Sequence, residues 1–96
     1  MAKAYWTAVY HSVKNPDALQ AYAALAGPAI QAGGGRFIVR GNAVKAYEAG
    51  LLQRVVIIEF DSDEKAAATH DSPAYQAALK ALGDGAVRDL RITEGV

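Results

Sequence analysis

An α+β domain is what this sequence predicts, and three observations predict it. Arg54-Val55-Val56-Ile57-Ile58-Glu59-Phe60 runs four β-branched residues together without polar alternation until Glu59, which reads as a central strand covered on both faces. Asn15-Pro16-Asp17 and Asp61-Ser62-Asp63-Glu64 each place capping residues ahead of an apolar or alanine-rich run, so two helical regions begin there. Alternating segments lie before, between and after them, which gives the order strand, helix, strand, strand, helix, strand.

The first strand is Lys3 to Tyr10, with Tyr5, Thr7 and Val9 on one face and Trp6, Ala8 and Tyr10 on the other. In the first helix Asn15 caps, Pro16 takes the first helical position and Asp17 meets the positive end of the dipole. Leu19, Tyr22, Ala23, Ala26 and Ile30 then recur at helical spacing to about Gln31. Pro28 removes a hydrogen bond and is expected to kink this helix or divide it after Gly27. Gly33-Gly34-Gly35 stops the helix. It has neither the spacing nor the Gly-Lys-Ser/Thr ending of a nucleotide loop.

Arg36 to Arg40 alternates, with Phe37 and Val39 opposite Arg36, Ile38 and Arg40, and Gly41-Asn42 is expected to turn the chain. Ala43 to Glu48 reads as a short strand-like piece before a second turn at Ala49-Gly50. After the central strand, Asp71-Ser72-Pro73 repeats a cap-then-proline signal, which splits the second helical region into one helix to about His70 and another from Pro73 to Leu82. Val87 to Thr93 is the last strand, its apolar side carrying Leu90 and Ile92.

Ninety-six residues, 52% apolar and 21% charged, make one domain over 1–96 with a single core. Ten basic and ten acidic residues cancel, so no net field draws the chain to nucleic acid or to an anionic membrane. Cysteine is absent, which excludes disulfides, thiol catalysis and thiolate metal sites. Met1 to Tyr10 has no apolar signal-peptide core, and no apolar run nears the roughly 20 residues that span a bilayer, so the expected location is cytoplasmic. His11 and His70 stand far apart without a second histidine at metal-ligand spacing, and neither a metal nor a haem is expected. Ser12 and Ser72 sit in no nucleophile elbow.

The βαββαβ order in so short a chain specifies a ferredoxin-like arrangement. Right-handed crossovers put the helices on one face of a four-stranded antiparallel sheet. Val55 and Ile57 then lie on the bare face with part of Tyr5, Thr7 and Val9, and two such sheets meeting face to face would bury it, so a homodimer is expected. Two readings of Arg40 and Glu59 stand side by side. They are either an ion pair that fixes neighbouring strands, or an anion holder and a base at the mouth of a pocket. Tyr5, Trp6, Tyr10 and Tyr75 supply an aromatic lining, either core or ligand platform.

Tyr5-Trp6, Gly34-Gly35-Arg36-Phe37, Arg40-Gly41, the stretch 54–60 and Asp71-Ser72-Pro73-Ala74-Tyr75-Gln76 together resemble the family called domain of unknown function 1330, over nearly the whole chain. The chain departs from that pattern at Thr69 and His70, where an aromatic pair commonly precedes the Asp-Ser-Pro break. The family resembles the dimeric α/β barrel superfamily, which contains cofactor-free monooxygenases, isomerases, haem enzymes and stress proteins. That resemblance implies two sheets joined into a barrel and a ligand site between sheet and helices. Three functions follow as expectations. One is a cofactor-free enzyme that abstracts a proton through Glu59 or His70 while Arg40, Trp6 and Tyr75 hold a small, partly apolar anion. The others are a non-catalytic ligand-binding dimer and a structural dimer with a filled interior. A cavity of about 300 Å3 or more reached by Arg40, Glu59 or His70 favours the first two.

Overall fold

The computed structural model describes residues 2–96, leaving Met1 outside. Strand β1 (Ala4–Val13) is followed by α1 (Pro16–Ala32), β2 (Arg36–Asn42), β3 (Arg54–Phe60), α2 (Asp63–His70), α3 (Pro73–Leu82) and β4 (Ala86–Glu94). The strands form one sheet in the order β2-β3-β1-β4 with antiparallel neighbours throughout. This is the expected ferredoxin-like topology, with β3 and β1 in the centre.

Strand parity assigns the faces. Trp6, Ala8 and Tyr10 of β1 and Val56, Ile58 and Phe60 of β3 are buried against Tyr22, Ala26 and Ile30 of α1, Ala66 of α2, and Tyr75, Ala78 and Leu82 of α3. The alternate residues Tyr5, Thr7, Val55 and Ile57 are only half-buried and Val9 is exposed. No helix covers them, and the molecule is 16 Å along its shortest axis, the depth of one helix layer on one sheet.

The helix starts form as their sequences dictate. Asn15 accepts from the N–H groups of Asp17 and Ala18, Ser62 from that of Lys65 and Ser72 from that of Tyr75. The break at Asp71-Ser72 separates α2 from α3 at the expected residues. Pro28, by contrast, does not divide α1. Pro28 and Ala24, whose carbonyl loses its helical donor, are both exposed, where an unpaired carbonyl costs little, and the helix continues.

Two expectations around β2 are corrected. Gly41-Asn42 is not a turn: both residues stay in the strand, paired with Val55 and Arg54. Ala43 to Glu48 is not a strand. It belongs to an irregular connection in which Val44, Tyr47 and Leu52 are exposed, and past the bond from the Ala43 N–H to the Gln53 carbonyl no ladder continues among the described residues. A third correction matters more for function. Phe37 pairs with Ile58 but Val39 with Ile57, so Ile38 is an extra residue, and the alternation of β2 reverses across it. Phe37 and Arg40 therefore share the helix-covered face, and the Arg40 guanidinium lies 4.8 Å from the Phe37 ring centre.

Gly34 turns the chain out of α1 with φ +92, and Gly35 then passes directly beneath the core. A Cβ on Gly35 would stand 2.6 Å from Ile30 and 2.8 Å from Phe60. We predict that Gly35→Ala destabilises the fold by about 1–3 kcal/mol through overpacking. Denaturant unfolding measures it, and an unchanged midpoint would show that the core yields at no cost.

Candidate functional site

Between α1 and the covered face of the sheet lies a half-open cavity of about 250 Å3. It exists because α1 presents Ala23, Ala26 and Gly27 to it, three small residues facing Trp6, Ala8 and Val56 across the gap. Leu19, Ile30 and Ile58 complete an apolar body, and no carboxylate lines it. The charged groups are Arg40, Arg54 and Arg88.

Register explains why three arginines converge. Val9 pairs with Val55 and Tyr10 with Arg88, so Arg54, Tyr10 and Arg88 follow one row across the sheet, and Arg40 sits one row inward beside Val56. Arg88 reaches under α1, donating to the Tyr22 hydroxyl at 3.1 Å with its guanidinium over the rings of Tyr22 and Tyr10. The Nε of Arg54 is buried without a hydrogen-bond partner. A buried donor without a partner is unfavourable, and it leaves the Arg54 guanidinium untied to any carboxylate among the described residues.

Behind the cavity stands an aromatic layer. Trp6 meets Tyr75 edge to face with centroids 4.9 Å apart, and His70 packs against both at 5.6 and 5.2 Å. Tyr75 is fully buried, and its hydroxyl lies 2.7 Å from that of Tyr22. Burial, with the Tyr22 hydroxyl beside it, pushes the Tyr75 phenol up. His70 lies within reach of Asp71, Nδ1 to Oδ1 at 3.0 Å.

Of the five residues that the sequence nominated, Trp6 and Arg40 line the cavity. Tyr75 stands one layer behind, joined to it through Tyr22. His70 contacts Trp6 and Tyr75 but is not part of the lining. Glu59 is on the other face of the sheet, where it pairs across the strands with Tyr5 and Arg36. The Arg40–Glu59 pair does not form, and the extra residue at Ile38 is the reason. Uninterrupted alternation would have put Arg40 on the face of Arg36 and Glu59, whereas the bulge turns it to the helices.

Glu59 instead anchors a surface network. Its carboxylate accepts from Tyr5 Oη at 3.0 Å and from Arg36 Nε at 3.1 Å, and Arg36 also reaches Asp61 at 3.0 Å, with Lys3 nearby. Tyr10, read from the sequence as core or ligand platform, also lines the cavity, and Arg54, Arg88 and Tyr22 are the cavity groups to which sequence reasoning gave no role in binding. A signal was present: Arg54 shares parity with Val56, Ile58 and Phe60, and Arg88 with Leu90 and Ile92, so each is a cation on a core-facing row. Among the described residues no three His, Asp or Glu side chains gather as a metal site would need, and no helix is long and apolar enough to cross a membrane.

Fold and site together define a ferredoxin-like α+β domain with an arginine-lined apolar cavity under its first helix. The chain belongs to the family described as domain of unknown function (DUF1330), whose model matches residues 3–96. Among solved structures, it is similar to RPA0582, a protein of unknown function from Rhodopseudomonas palustris, at 19% identity and TM-score 0.73 over 99% of this chain and 83% of that one. It is also similar to a dimeric ferredoxin-like protein of unknown function from Thermobifida fusca, at 17% identity and TM-score 0.65, with 97% and 91% covered. A third similar structure is SnoaB, a cofactor-independent oxygenase from Streptomyces nogalater, at 11% identity and TM-score 0.64, with 100% and 95% covered. At these identities the likeness is one of fold. No curated protein matches the chain.

The network yields a pH prediction. Hydrogen bonds from Tyr5 and Arg36 hold the Glu59 carboxyl below its ordinary 4.5, and Arg36 holds Asp61 below 3.8. A depressed folded value means that the stabilisation is complete above the ordinary value and is lost as pH falls through the depressed one. We predict that Arg36→Met is less stable than wild type at neutral pH, and that the gap closes as the solution is taken below about pH 4. Urea midpoints across that range test it. A gap that persists in acid would assign the loss to packing.

Proposed function

We propose that this chain is a small-molecule-binding homodimer whose cavity takes a small, partly apolar anion. One observation carries the reading: three arginines, and among the described residues no carboxylate, line an otherwise apolar cavity. Guanidinium forks match carboxylate geometry, and apolar walls receive a hydrocarbon or aromatic body. The volume of about 250 Å3 falls short of the roughly 300 Å3 expected of a ligand site, but the interior is not filled as a purely structural role would have it, and a compound of one ring and its substituents fits. Arg40 and Trp6 act here as ligand contacts, and Tyr75 supports them from behind.

Binding is better supported than proton abstraction by Glu59 or His70. Glu59 is on the far face of the sheet within an ion network, and His70 lies outside the lining. A general base must come within hydrogen-bond reach of the proton it takes, directly or through one water. The likeness in fold to a cofactor-independent oxygenase does not supply such a base.

The homodimer reading rests on the bare face. Tyr5, Thr7, Val9, Val39, Val55 and Ile57 give it an apolar centre that no helix covers. A ferredoxin-like protein of similar structure is described as dimeric. A second copy, turned by a two-fold axis, would bury the same patch on both subunits. Two predictions follow from these readings. Light scattering at micromolar concentration should give about twice 10.1 kDa, and Ile57→Asp should yield monomer or unfolded chain; a wild-type monomer would refute the dimer. Benzoate should raise the unfolding temperature of wild type, and Arg54→Met, itself no less stable, should bind it at least about tenfold more weakly. Equal affinity of the two proteins would remove the anion site from this cavity.

A further inference from the structure

The neighbours of Tyr22 fix where its hydroxyl proton points. Tyr75 is fully buried, and among the described residues the one group able to accept its O–H is the Tyr22 oxygen 2.7 Å away. Were Tyr22 the donor in that bond, the Tyr75 hydroxyl hydrogen would be left unsatisfied in the core, an arrangement folded proteins avoid. Tyr75 therefore donates to Tyr22. Arg88, which can only donate, gives a second hydrogen bond to the same oxygen at 3.1 Å. With both acceptor directions of Tyr22 used, its own O–H is left over. No other protein acceptor among the described residues is bonded to it, and Tyr22 lines the cavity.

We propose that Tyr22 is the ligand-orienting donor of this cavity, held by Tyr75 and Arg88 so that its O–H meets a carbon-bound oxyanion. The inference rests on the anion-binding reading above and deepens it. An O–H whose oxygen accepts from a guanidinium and from a second phenol is polarised, and the bond it gives is strengthened by the chain behind it. Arg88 serves twice, orienting Tyr22 and adding positive charge beside the oxyanion. Tyr75 is a positioning residue, since it reaches the ligand only through Tyr22. Both carboxylates and phenolates carry the required oxygen, and benzoate and 4-nitrophenolate represent the two sources.

Calorimetry with both probes on wild type, Tyr22→Phe and Tyr75→Phe tests the proposal. Tyr22→Phe should weaken the favoured probe by about tenfold or more, the loss of one hydrogen bond to a charged group. It should also lower the fraction of bound nitrophenol that absorbs as phenolate. Tyr75→Phe keeps the Tyr22 O–H but removes one of the two groups that orient it, so it should weaken binding measurably yet by less than Tyr22→Phe, while losing fold stability. Because Tyr22→Phe strands the Tyr75 hydroxyl and is expected to unfold more easily, a second measurement uses the wild type alone. With tyrosine labelled at the ring carbon bearing the hydroxyl, probe binding should move the Tyr22 resonance most. Equal affinity of Tyr22→Phe and wild type for both probes, or a Tyr22 resonance that does not move, overturns the role of Tyr22 and leaves the cavity reading intact. Failure of wild type to bind either probe overturns both.

Discussion

The edge-to-face contact of Trp6 with Tyr75 sets the spacing from which the rest of the molecule follows. Trp6 belongs to a central strand, Tyr75 to the first turn of α3, and the hydroxyl of Tyr75 reaches Tyr22 in the middle of α1. Three elements from distant parts of the chain are thus held through one buried ring. Aromatic rings of that size hold α1 away from the sheet at one end. Further along, where α1 carries Ala23, Ala26 and Gly27, nothing large fills the gap that the rings have opened. The cavity is a consequence of pairing large residues at one point with small ones at the next.

Strand parity made most of the fold legible. The unbroken apolar run of β3, the capped starts of α1 and α2 and the proline signal at Asp71-Ser72-Pro73 each reflect a local rule that tertiary packing does not override. Parity also predicted that Val55 and Ile57 would share a face uncovered by helices. What could not be read was Ile38. A bulge leaves no mark in a strand of ordinary composition, because Ile38 is as good a strand residue as its neighbours and the extra count shows only against the partner strand.

The site was half legible for the same reason. Arg40 and Trp6 were recognised by residue type, but Arg40 was set beside Glu59 because both lie near ends of neighbouring strands, and the bulge turns it to the opposite face. Arg54 and Arg88 were legible in principle as cations on core-facing rows, an arrangement that the expense of burying charge makes rare without a purpose. His70 sits at the end of α2 and packs on the aromatic layer without reaching the cavity. Sequence distance could not distinguish the two positions, since Trp6, which it touches, also lines the cavity on another side.

Pro28 gives α1 a property beyond shape. The helix that roofs the cavity lacks one backbone bond beside Gly27, which lines the space below, and Ala24, whose carbonyl is freed, is an exposed residue. Bending at that point breaks no bond that the helix possesses, whereas bending one turn earlier would disturb the Tyr22 anchor. The roof is thus tied down at Tyr22, which Tyr75 and Arg88 hold, and has one backbone bond fewer beside Gly27. A ligand of the proposed kind would be fixed by its oxygen while its hydrocarbon end varied in bulk, a division that favours one functional group over many molecular outlines.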